Sequence, residues 1–373
     1  MIVAGEASGD LHGSNLVRAM HDLDPDLQFF GVGGNRMAQT GVNLMANVSD
    51  MAVVGLTEVI VHLGRVMRVM FALRRSLHND PPDLVILIDY PDFNLPLAAA
   101  AKKLGIKVFY YISPQVWAWR KNRVSRIRSV VDHMAVILPF EASFYAQYGV
   151  SATFVGHPLL DAIEAPQSKE EARHMLNIAA DAIPVGLLPG SRPGEIKRLL
   201  PLMLKAAAII KKSLPAAYFI LPLADSFPGD IADPFIAASG IAIQTVHNQT
   251  YAVMSLAEAV LVASGTATLE TALFGTPMVI VYKVSPLSYA IGKRVISVKN
   301  IGLVNIIGGA TLVPELIQAN VNPERMAAEM LSILTNRQRR DEIRKDLSAI
   351  REKLGEPGAS ARAARLAYDL IHM

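Results

Sequence analysis

Cysteine is absent from this chain of 373 residues, which excludes disulfides, thiol catalysis and thiolate metal sites. No apolar run approaches the ~18 residues that a membrane-spanning helix needs. The first residues lack the basic and apolar regions of a secretory signal peptide, so we expect a cytoplasmic protein. The two early glycine turns do not fit G-x-G-x-x-G, and the central glycine loop lacks the Walker A ending, so a nicotinamide cofactor or a P-loop is not expected.

The charge of the chain is nearly balanced. It has 36 basic and 33 acidic residues and a net charge of +3, so a nucleic-acid partner is not expected and any basic site must be local. Hydrophobic residues make up 51% of the chain, slightly above the usual ~45–50%. This composition suits buried parallel sheets or a surface that meets lipid. The length predicts about two domains at ~150 residues each.

A glycine-bearing loop in the middle of the chain, from Leu187 to Glu195, has the features of an anion site. It follows an apolar run, Ile183–Leu188, that predicts a buried strand, and it precedes a periodic segment, Ile196–Lys212, that predicts a helix. Its glycines allow the backbone to approach a ligand, and the N–H groups and dipole of the first helical turn favour an anion. Arg192 adds a full charge. A tight turn with a surface arginine is the alternative.

A second turn of this kind follows Ala259–Ala263, which predicts another buried strand. We expect Glu270 in the first turn of the helix after it, where the dipole favours a carboxylate even without a ligand. A carboxylate there could also accept hydrogen bonds from a pair of sugar hydroxyls. Further on, Leu303–Val313 has the composition of a loop and contains Asn305.

In the first half, a glycine turn at 5–10 follows the short predicted strand Ile2–Ala4. It could approach a polar ligand or be a simple tight turn. The strongly apolar run Asp83–Ile88 is typical of a parallel sheet covered on both faces. It delivers Asp89 to the carboxyl edge, where ligands bind in open α/β sheets, although an Asx-turn is also possible. Asp92 is interpreted as the N-cap of the following helix.

The segment Val59–Leu77 predicts a helix with an unusually wide apolar surface. Arg65, Arg68 and Arg75 share one face by helical spacing. A broad remaining arc is apolar and carries Leu63, Val66, Met67, Val69, Met70, Phe71 and Leu73. A helix packed on a core needs an apolar arc of only ~100°. The excess predicts either an apolar patch ringed by arginine, as in interfacial helices, or a helix buried between two layers.

Both tryptophans of the chain lie in the loop 113–120, which we expect to pack tightly or to line a cleft. The dense basic segment Arg120–Arg128 follows. Such a run is usually a solvated helix face, but it could also meet phosphate or anionic lipid.

The two halves repeat the order strand, glycine loop, helix. We therefore predict an α/β fold of two doubly wound Rossmann-like domains with parallel sheets facing a central cleft. The first domain is placed at 1–161 and the second at 183–345, with a polar linker at 162–182. No clustered His, Asp and Glu ligands for a metal are found in the sequence.

Five motifs in one order resemble those of a known family, the lipid A disaccharide synthases. They are Gly5-Glu6-Ala7-Ser8-Gly9-Asp10, Asp89-Tyr90-Pro91-Asp92-Phe93-Asn94, Ser113-Pro114-Gln115-Val116-Trp117-Ala118-Trp119-Arg120, Pro189-Gly190-Ser191-Arg192 and Ser264-Gly265-Thr266-Ala267-Thr268-Leu269-Glu270. Each motif is weak alone, but the ordered set is highly specific and spans nearly the whole chain. One departure is Tyr90, where the family commonly has alanine, and it changes only the local shape of the cleft.

The resemblance implies an inverting GT-B glycosyltransferase, and no cofactor is expected. The absence of a ligand cluster beside the arginine-bearing anion loop predicts that the reaction is metal-independent. The family joins UDP-2,3-diacylglucosamine to 2,3-diacylglucosamine 1-phosphate and releases UDP and the β-1′,6-linked lipid A disaccharide 1-phosphate. The first domain would hold the acceptor and meet the membrane, the second would hold the UDP-sugar donor, and residues 346–373 would cross back to the first. Peripheral attachment to the inner face of a Gram-negative inner membrane is implied, and some members form homodimers.

The same resemblance assigns roles to individual residues. The general base would be Asp89. The implied donor contacts are Gly190, Ser191, Arg192, Ser264, Gly265, Thr266, Ala267, Thr268, Glu270 and Asn305. The acceptor side of the cleft would carry Gly5, Glu6, Ser8, Gly9 and Asp10. Membrane contact would fall to Leu63, Arg65, Val66, Met67, Arg68 and Met70.

Two other functions remain compatible with the sequence. Another GT-B enzyme acting on UDP-sugars, such as an epimerase or a peptidoglycan transferase, would share the donor loops and need no acyl chains. A non-catalytic nucleotide-sugar or lipid-binding protein would bind UDP but release none from the donor.

Overall fold

A computed structural model describes residues 1–48, 59–163, 168–223, 231–286, 289 and 300–372, and for 59–63 only the backbone. The chain divides into two compact units. The first comprises Met1–Ala162 with Leu354–Met373, and the second comprises Ile163–Lys353.

The first unit is built on a parallel sheet with strand order β3-β2-β1-β4-β5-β6-β7. Its strands are β1 (Ile2–Ala4), β2 (Phe30–Gly33), β3 (Asn43–Asn47), β4 (Leu84–Ile88), β5 (Lys107–Tyr111), β6 (His133–Val136) and β7 (Ala152–Phe154). The connecting helices are α1 (Ala7–His21), α2 (Asn35–Gln39), α3 (Val59–Asn79), α4 (Pro91–Lys103), α5 (Arg123–Val130), α6 (Glu141–Ala146) and α7 (Leu159–Ala162). The strand order reverses between β1 and β4, so this pair forms the switch point of the sheet.

The second unit repeats this architecture with strand order β10-β9-β8-β11-β12-β13. Its strands are β8 (Ile183–Leu188), β9 (Ala217–Leu223), β10 (Ile243–His247), β11 (Ala259–Ala263), β12 (Met278–Tyr282) and β13 (Glu315–Ile317). Its helices are α8 (Lys169–Met175), α9 (Pro193–Ser213), α10 (Asp233–Ser239), α11 (Thr250–Leu256), α12 (Thr266–Leu273), α13 (Leu303–Gly308), α14 (Pro323–Thr335) and α15 (Arg337–Lys353). Here the switch point lies between β8 and β11.

Strand β4 shows why the first sheet is covered on both faces. All of its residues are buried, and alternate side chains enter two separate cores. Val85 and Leu87 join the core that contains α3 and α4, whereas Ile86 and Ile88 join the one that contains α1. A strand in such a position must be apolar throughout, as the sequence predicted.

The last helix, α16 (Ala359–His372), belongs to the first unit and packs against α1 and β5. Ala363, Ala364 and Ala367 are fully buried in the core beside α1. The return to the first unit begins at Leu354 rather than at 346, because α15 continues to Lys353 and buries Leu347 and Ile350.

The expected linker at 162–182 is only partly a linker. Helix α8 forms within it, and Ala172, Leu176 and Ile178 are buried in a core of the second unit with residues of α11. The polar composition of this stretch reflects the solvent-facing side of a short helix.

Helix α3 is partly buried against the sheet. Met70, Leu73 and Leu77 are buried, and no described helix is long and apolar enough to cross a bilayer. Met67 and Phe71 are 60% and 72% exposed. The membrane role expected for Met70 is therefore wrong, because its side chain fills the core, and the Leu63 side chain lies outside the described part.

Two methionines on α3 provide a test of this burial. Met70→Ala should lower the free energy of unfolding by ~2–5 kcal/mol, the usual cost of removing a buried methionine side chain. Met67→Ala, three residues earlier on the exposed side, should change it by less than ~0.5 kcal/mol. Urea unfolding of both variants compares them directly, and equal small effects would contradict the core position of Met70.

Candidate functional site

The first candidate site lies at the switch point of the first sheet. Strands β1 and β4 are parallel neighbours with Ala4 opposite Ile88, so the turns that follow them leave the same edge. This pairing brings Gly5 and Glu6 beside Asp89 and Tyr90. A Cβ at Gly5 would collide with the ring of Tyr90, which explains why glycine is needed there.

The backbone that presents Asp89 is strained. Asp89 and Tyr90 have φ angles of +44° and +47°, a left-handed conformation that bulky residues rarely adopt. Each such residue costs about 1–3 kcal/mol and persists only where its surroundings hold it. Helix α4 begins directly after this bend, so the bend separates the carboxylate from the helix.

Two buried polar side chains hold the bend. Asn94 Nδ2 donates to the carbonyl oxygen of Asp89 at 2.7 Å and to that of Ile88 at 3.1 Å. The Tyr110 hydroxyl also donates to the carbonyl oxygen of Asp89. Asn94 and Tyr110 are both fully buried. Neither was singled out from sequence, although Asn94 stands within one of the quoted motifs.

The carboxylate of Asp89 has the properties of a proton acceptor. Its outer edge is exposed, but surrounding protein desolvates the group and raises its pKa to about 6. The negative charge of Glu6 raises the pKa further, and the N–H of Tyr90 opposes both effects. No basic side chain of the described chain forms a salt bridge with Asp89, so the carboxylate is free to take a proton near neutral pH.

In the rest of the first glycine turn, Ser8 is exposed, whereas Gly9 and Asp10 are buried. Gly9 packs closely on Ala4 and Ile88. Asp10 is buried and accepts hydrogen bonds from three backbone N–H groups at the start of α2, those of residues 34, 36 and 37. The position expected for Asp10 in the acceptor cleft is therefore wrong, because its carboxylate caps a helix.

A second candidate site lies at the switch point of the second unit. Parallel strands β8 and β11 pair with Leu188 opposite Val262, so the turns after them also share one edge. Gly190 has φ +112°, a conformation suited to glycine. Helix α9 begins with Pro193, and the Arg192 side chain before it is 78% exposed.

The anion-binding groups of this loop already have an internal partner. The Glu195 carboxylate accepts hydrogen bonds from the N–H of Ser191 at 3.1 Å and the N–H of Arg192 at 3.3 Å. It also lies 3.4 Å from the Arg192 guanidinium. The N–H groups of Ser191 and Arg192 are therefore not free in this structure, because Glu195 at the third helical position caps them. In this structure the loop therefore holds a carboxylate of its own chain.

The turn after β11 leads into α12 at Thr266. Thr268 is buried, and its hydroxyl donates a hydrogen bond to the carbonyl oxygen of Gly265. Thr268 therefore has a structural role. Ser264 and Ala267 are half-buried, and Gly265 and Thr266 are exposed. This turn therefore offers exposed backbone and the hydroxyls of Ser264 and Thr266 at the same edge as the arginine loop.

Glu270 lies one turn further into α12 than expected. Because the helix begins at Thr266, Glu270 is in the second turn, beyond the first-turn N–H groups. Desolvation raises its pKa, and the hydroxyl of Tyr251 donates to it at 3.2 Å. The helix-dipole explanation of Glu270 is therefore wrong. Tyr251, a partner that sequence reasoning missed, reaches Glu270 from α11.

Asn305 is buried in the second unit. It lies in helix α13, so the loop predicted for Leu303–Val313 is wrong over its first half. Its amide nitrogen donates to Val313 O and to Glu315, and its amide oxygen accepts from two backbone N–H groups. These four hydrogen bonds account for the side chain without a ligand.

The tryptophan loop is held by a buried acid. Glu141 accepts hydrogen bonds from Ser113, the Trp117 ring and the N–H of Leu138, and burial raises its pKa to about 6. The loop therefore packs tightly at Trp117, although Trp119 remains partly exposed. The described residues contain no group of three or more His, Asp or Glu side chains with metal-binding geometry.

The start of α4 also departs from expectation. Tyr90, not Asp92, occupies the N-cap position. Asp92 is exposed in the first turn and forms ion pairs with Arg120 and Arg123. Two members of the basic segment are thus partly neutralised by this carboxylate.

Comparison with known proteins gives consistent results. The sequence model of the Lipid-A-disaccharide synthetase family matches residues 1–369. The lipid-A-disaccharide synthase of Syntrophus aciditrophicus (strain SB) is 54% identical over 372 residues, covering 100% of this chain and 97% of that protein. UDP-GlcNAc 2-epimerase of Methanocaldococcus jannaschii, solved with UDP-GlcNAc and UDP, has a TM-score of 0.61 at 15% identity and 99% coverage of both chains. The calicheamicin glycosyltransferase CalG4 has a TM-score of 0.62 at 14% identity, covering 100% of this chain and 96% of that one.

Two doubly wound parallel sheets, each with glycine turns at its switch point, define the GT-B class of glycosyltransferases and epimerases. Within that class the sequence similarity is decisive. The chain belongs to the lipid-A-disaccharide synthetase family, and it is a glycosyltransferase.

The hydrogen bond from Tyr110 to the backbone of Asp89 predicts that Tyr110 affects the reaction rate but not donor binding. Tyr110→Phe should slow glycosyl transfer roughly fivefold, the equivalent of one hydrogen bond of ~1 kcal/mol, without changing the KM for the donor. The acid limb of the pH–rate profile should move to lower pH, because a loosened Asp89 is better solvated.

Tyr111→Phe is the matched control, since it removes an equally buried hydroxyl that enters the opposite core. It should leave both kcat and the acid limb unchanged. If both variants lower only the melting temperature, Tyr110 supports the fold and does not position Asp89.

Proposed function

We propose that the chain transfers a 2,3-diacylglucosamine residue from UDP to the 6-hydroxyl of 2,3-diacylglucosamine 1-phosphate. The single observation that carries this proposal is the chemistry at the two switch points. One presents a free carboxylate of raised pKa, and the other presents an exposed arginine on an anion-binding loop. A proton acceptor and a stabiliser of a diphosphate are the two groups that this displacement needs.

The donor is proposed to bind the second unit. Its diphosphate would lie on the loop of Gly190, Ser191 and Arg192 and beside the turn from Ser264 to Thr266. The observed contact of Glu195 with two backbone N–H groups supports this placement, because a phosphate oxygen needs the same donors. Glu270, already hydrogen-bonded to Tyr251, is proposed to accept the ribose hydroxyls. Asn305 is left out of the proposed site, since its hydrogen bonds are satisfied internally.

The acceptor hydroxyl is proposed to approach Asp89 in the first unit. Asp89 takes its proton, and the hydroxyl oxygen forms a bond to the anomeric carbon on the face opposite the UDP. The bond between that carbon and the diphosphate oxygen breaks, and UDP leaves with its electron pair. Attack from the opposite face inverts the anomeric configuration and gives the β-linked disaccharide 1-phosphate. Arg192 and the helix N-termini stabilise the charge that develops on the leaving group without a metal.

We also propose that the protein lies against the cytoplasmic face of the inner membrane. Helix α3 supports this proposal with two large exposed apolar side chains, Met67 and Phe71, and with exposed arginines at Arg65 and Arg68. Exposed apolar side chains of this size beside basic ones are typical of interfacial helices. Val66 is only half-buried and joins the edge of the core.

The pH dependence of the reaction tests the role of Asp89. A base must be deprotonated, so kcat/KM should be constant above the pKa of about 6 and fall as the pH drops below it. Asp89→Asn should lower kcat by ~10²–10⁴ with little change in UDP affinity. Asp92→Asn, an exposed neighbour on the same turn, is the control and should stay active.

If the Asp89→Asn enzyme is folded and nearly fully active, and its kcat/KM still falls at the same low pH, Asp89 is not the general base. Glu6 would then be the next base to test, since it lies at the same switch point. Asp10 is a poor second candidate, because it caps α2.

The exposed guanidinium of Arg192 gives a second prediction. Arg192→Ala should raise the barrier by ~2–4 kcal/mol, the scale of losing one preorganised charge stabiliser. Arg337→Ala, which removes an equally exposed arginine from α15, should leave the rate unchanged. Steady-state kinetics with both variants make the comparison, and a near-normal rate for Arg192→Ala would remove this residue from the site.

A further inference from the structure

A basic recess lies on the first unit, away from the switch point. It has a volume of about 310 Å³ and is formed by helices α3, α4 and α5. Its floor is apolar and includes Ala99 and Ala100. Four basic side chains surround this floor, namely Arg74, His78, Lys103 and Arg126.

These basic groups have no acidic counterpart. No acidic side chain lines the recess, and none of the four forms a salt bridge with any described residue. The Arg74 guanidinium donates to the carbonyl oxygen of Pro96 at 3.4 Å. All four side chains are exposed, so their mutual repulsion is screened, and an anion that enters the recess would meet positive charge from three helices.

The recess continues into the exposed apolar side chains of α3. Met67, Phe71, Arg74 and His78 are spaced by three or four residues, so they form one stripe along the helix. The apolar end of the stripe is exposed, and the basic end lines the recess. An anion bound in the recess would therefore lie beside a surface suited to acyl chains, which is the arrangement within an anionic phospholipid.

We propose that this recess binds the phosphate of an anionic phospholipid headgroup while Met67 and Phe71 enter the interface beside it. The proposal rests on the membrane contact of α3 proposed above. It adds a localised phosphate site to that contact, in which Lys103 and Arg126 pair with the phosphate and Arg74 closes the recess from α3.

The test compares vesicles of phosphatidylcholine with and without phosphatidylglycerol. Lys103→Gln with Arg126→Gln should weaken binding to the phosphatidylglycerol vesicles more than tenfold, since each basic residue near such a surface contributes about fivefold. Activity in detergent micelles should be unchanged. The matched variant, Arg18→Gln with Arg36→Gln, removes the same charge from α1 and α2, which pack on the other face of the sheet from α3, and should weaken binding less than threefold.

Each other outcome counts against the proposal. Equal losses in the two double variants would show that only diffuse surface charge attracts the membrane. Tight binding of glycerol 1-phosphate without vesicles, lost in Lys103→Gln with Arg126→Gln, would identify a soluble phosphate ligand instead. Met67→Ser with Phe71→Ser should weaken binding to both kinds of vesicle, and no effect there would reject the membrane contact itself, independently of the recess.

Discussion

Parallel strand pairing at two switch points is the constraint on which the rest of this structure depends. Parallel strands all end at one edge, so the turns after β1 and β4 must leave the first sheet together, and so must those after β8 and β11. Each pair of turns therefore collects residues that are distant in sequence. The first collects Glu6 and Asp89, and the second collects Arg192 with the glycine turn at Ser264. The proposed chemistry depends on these side chains, a carboxylate at the first edge and an arginine at the second.

Asp89 and Tyr90 lie in a strained backbone conformation. This conformation persists because the carbonyl groups of Ile88 and Asp89 are held by hydrogen bonds. Asn94 and Tyr110 provide that restraint from inside the core, so the free energy of packing maintains the geometry of the site. At the second edge the ligand-free loop is held differently. There the Glu195 carboxylate accepts hydrogen bonds from the N–H groups proposed for phosphate.

Sequence patterns predicted the elements well where one physical signal dominates. The apolar runs identified β4, β8 and β11. Asp89 was recognised after β4, and the glycine turns were recognised after β8, with Arg192, and after β11. The errors arise where tertiary contacts decide. Burial of Met70 depends on how α3 rotates against the sheet. The helix is not buried between two layers, because Met67 and Phe71 on its other side are exposed. The helix start at Thr266 places Glu270 in the second turn instead of the first. Asn305 is held by Leu312, Val313 and Glu315, and a local pattern does not reveal these contacts.

Measuring UDP release with the diacylated donor and the diacylated acceptor, together and singly, is the decisive experiment. The proposed glycosyltransferase should release UDP only when both substrates are present, in equal amount to the disaccharide 1-phosphate. Release of UDP from the donor alone, or turnover of a lipid-free UDP-sugar at a comparable rate, would contradict the account and favour another UDP-sugar enzyme of the same fold. Binding of UDP without any release would indicate a non-catalytic protein.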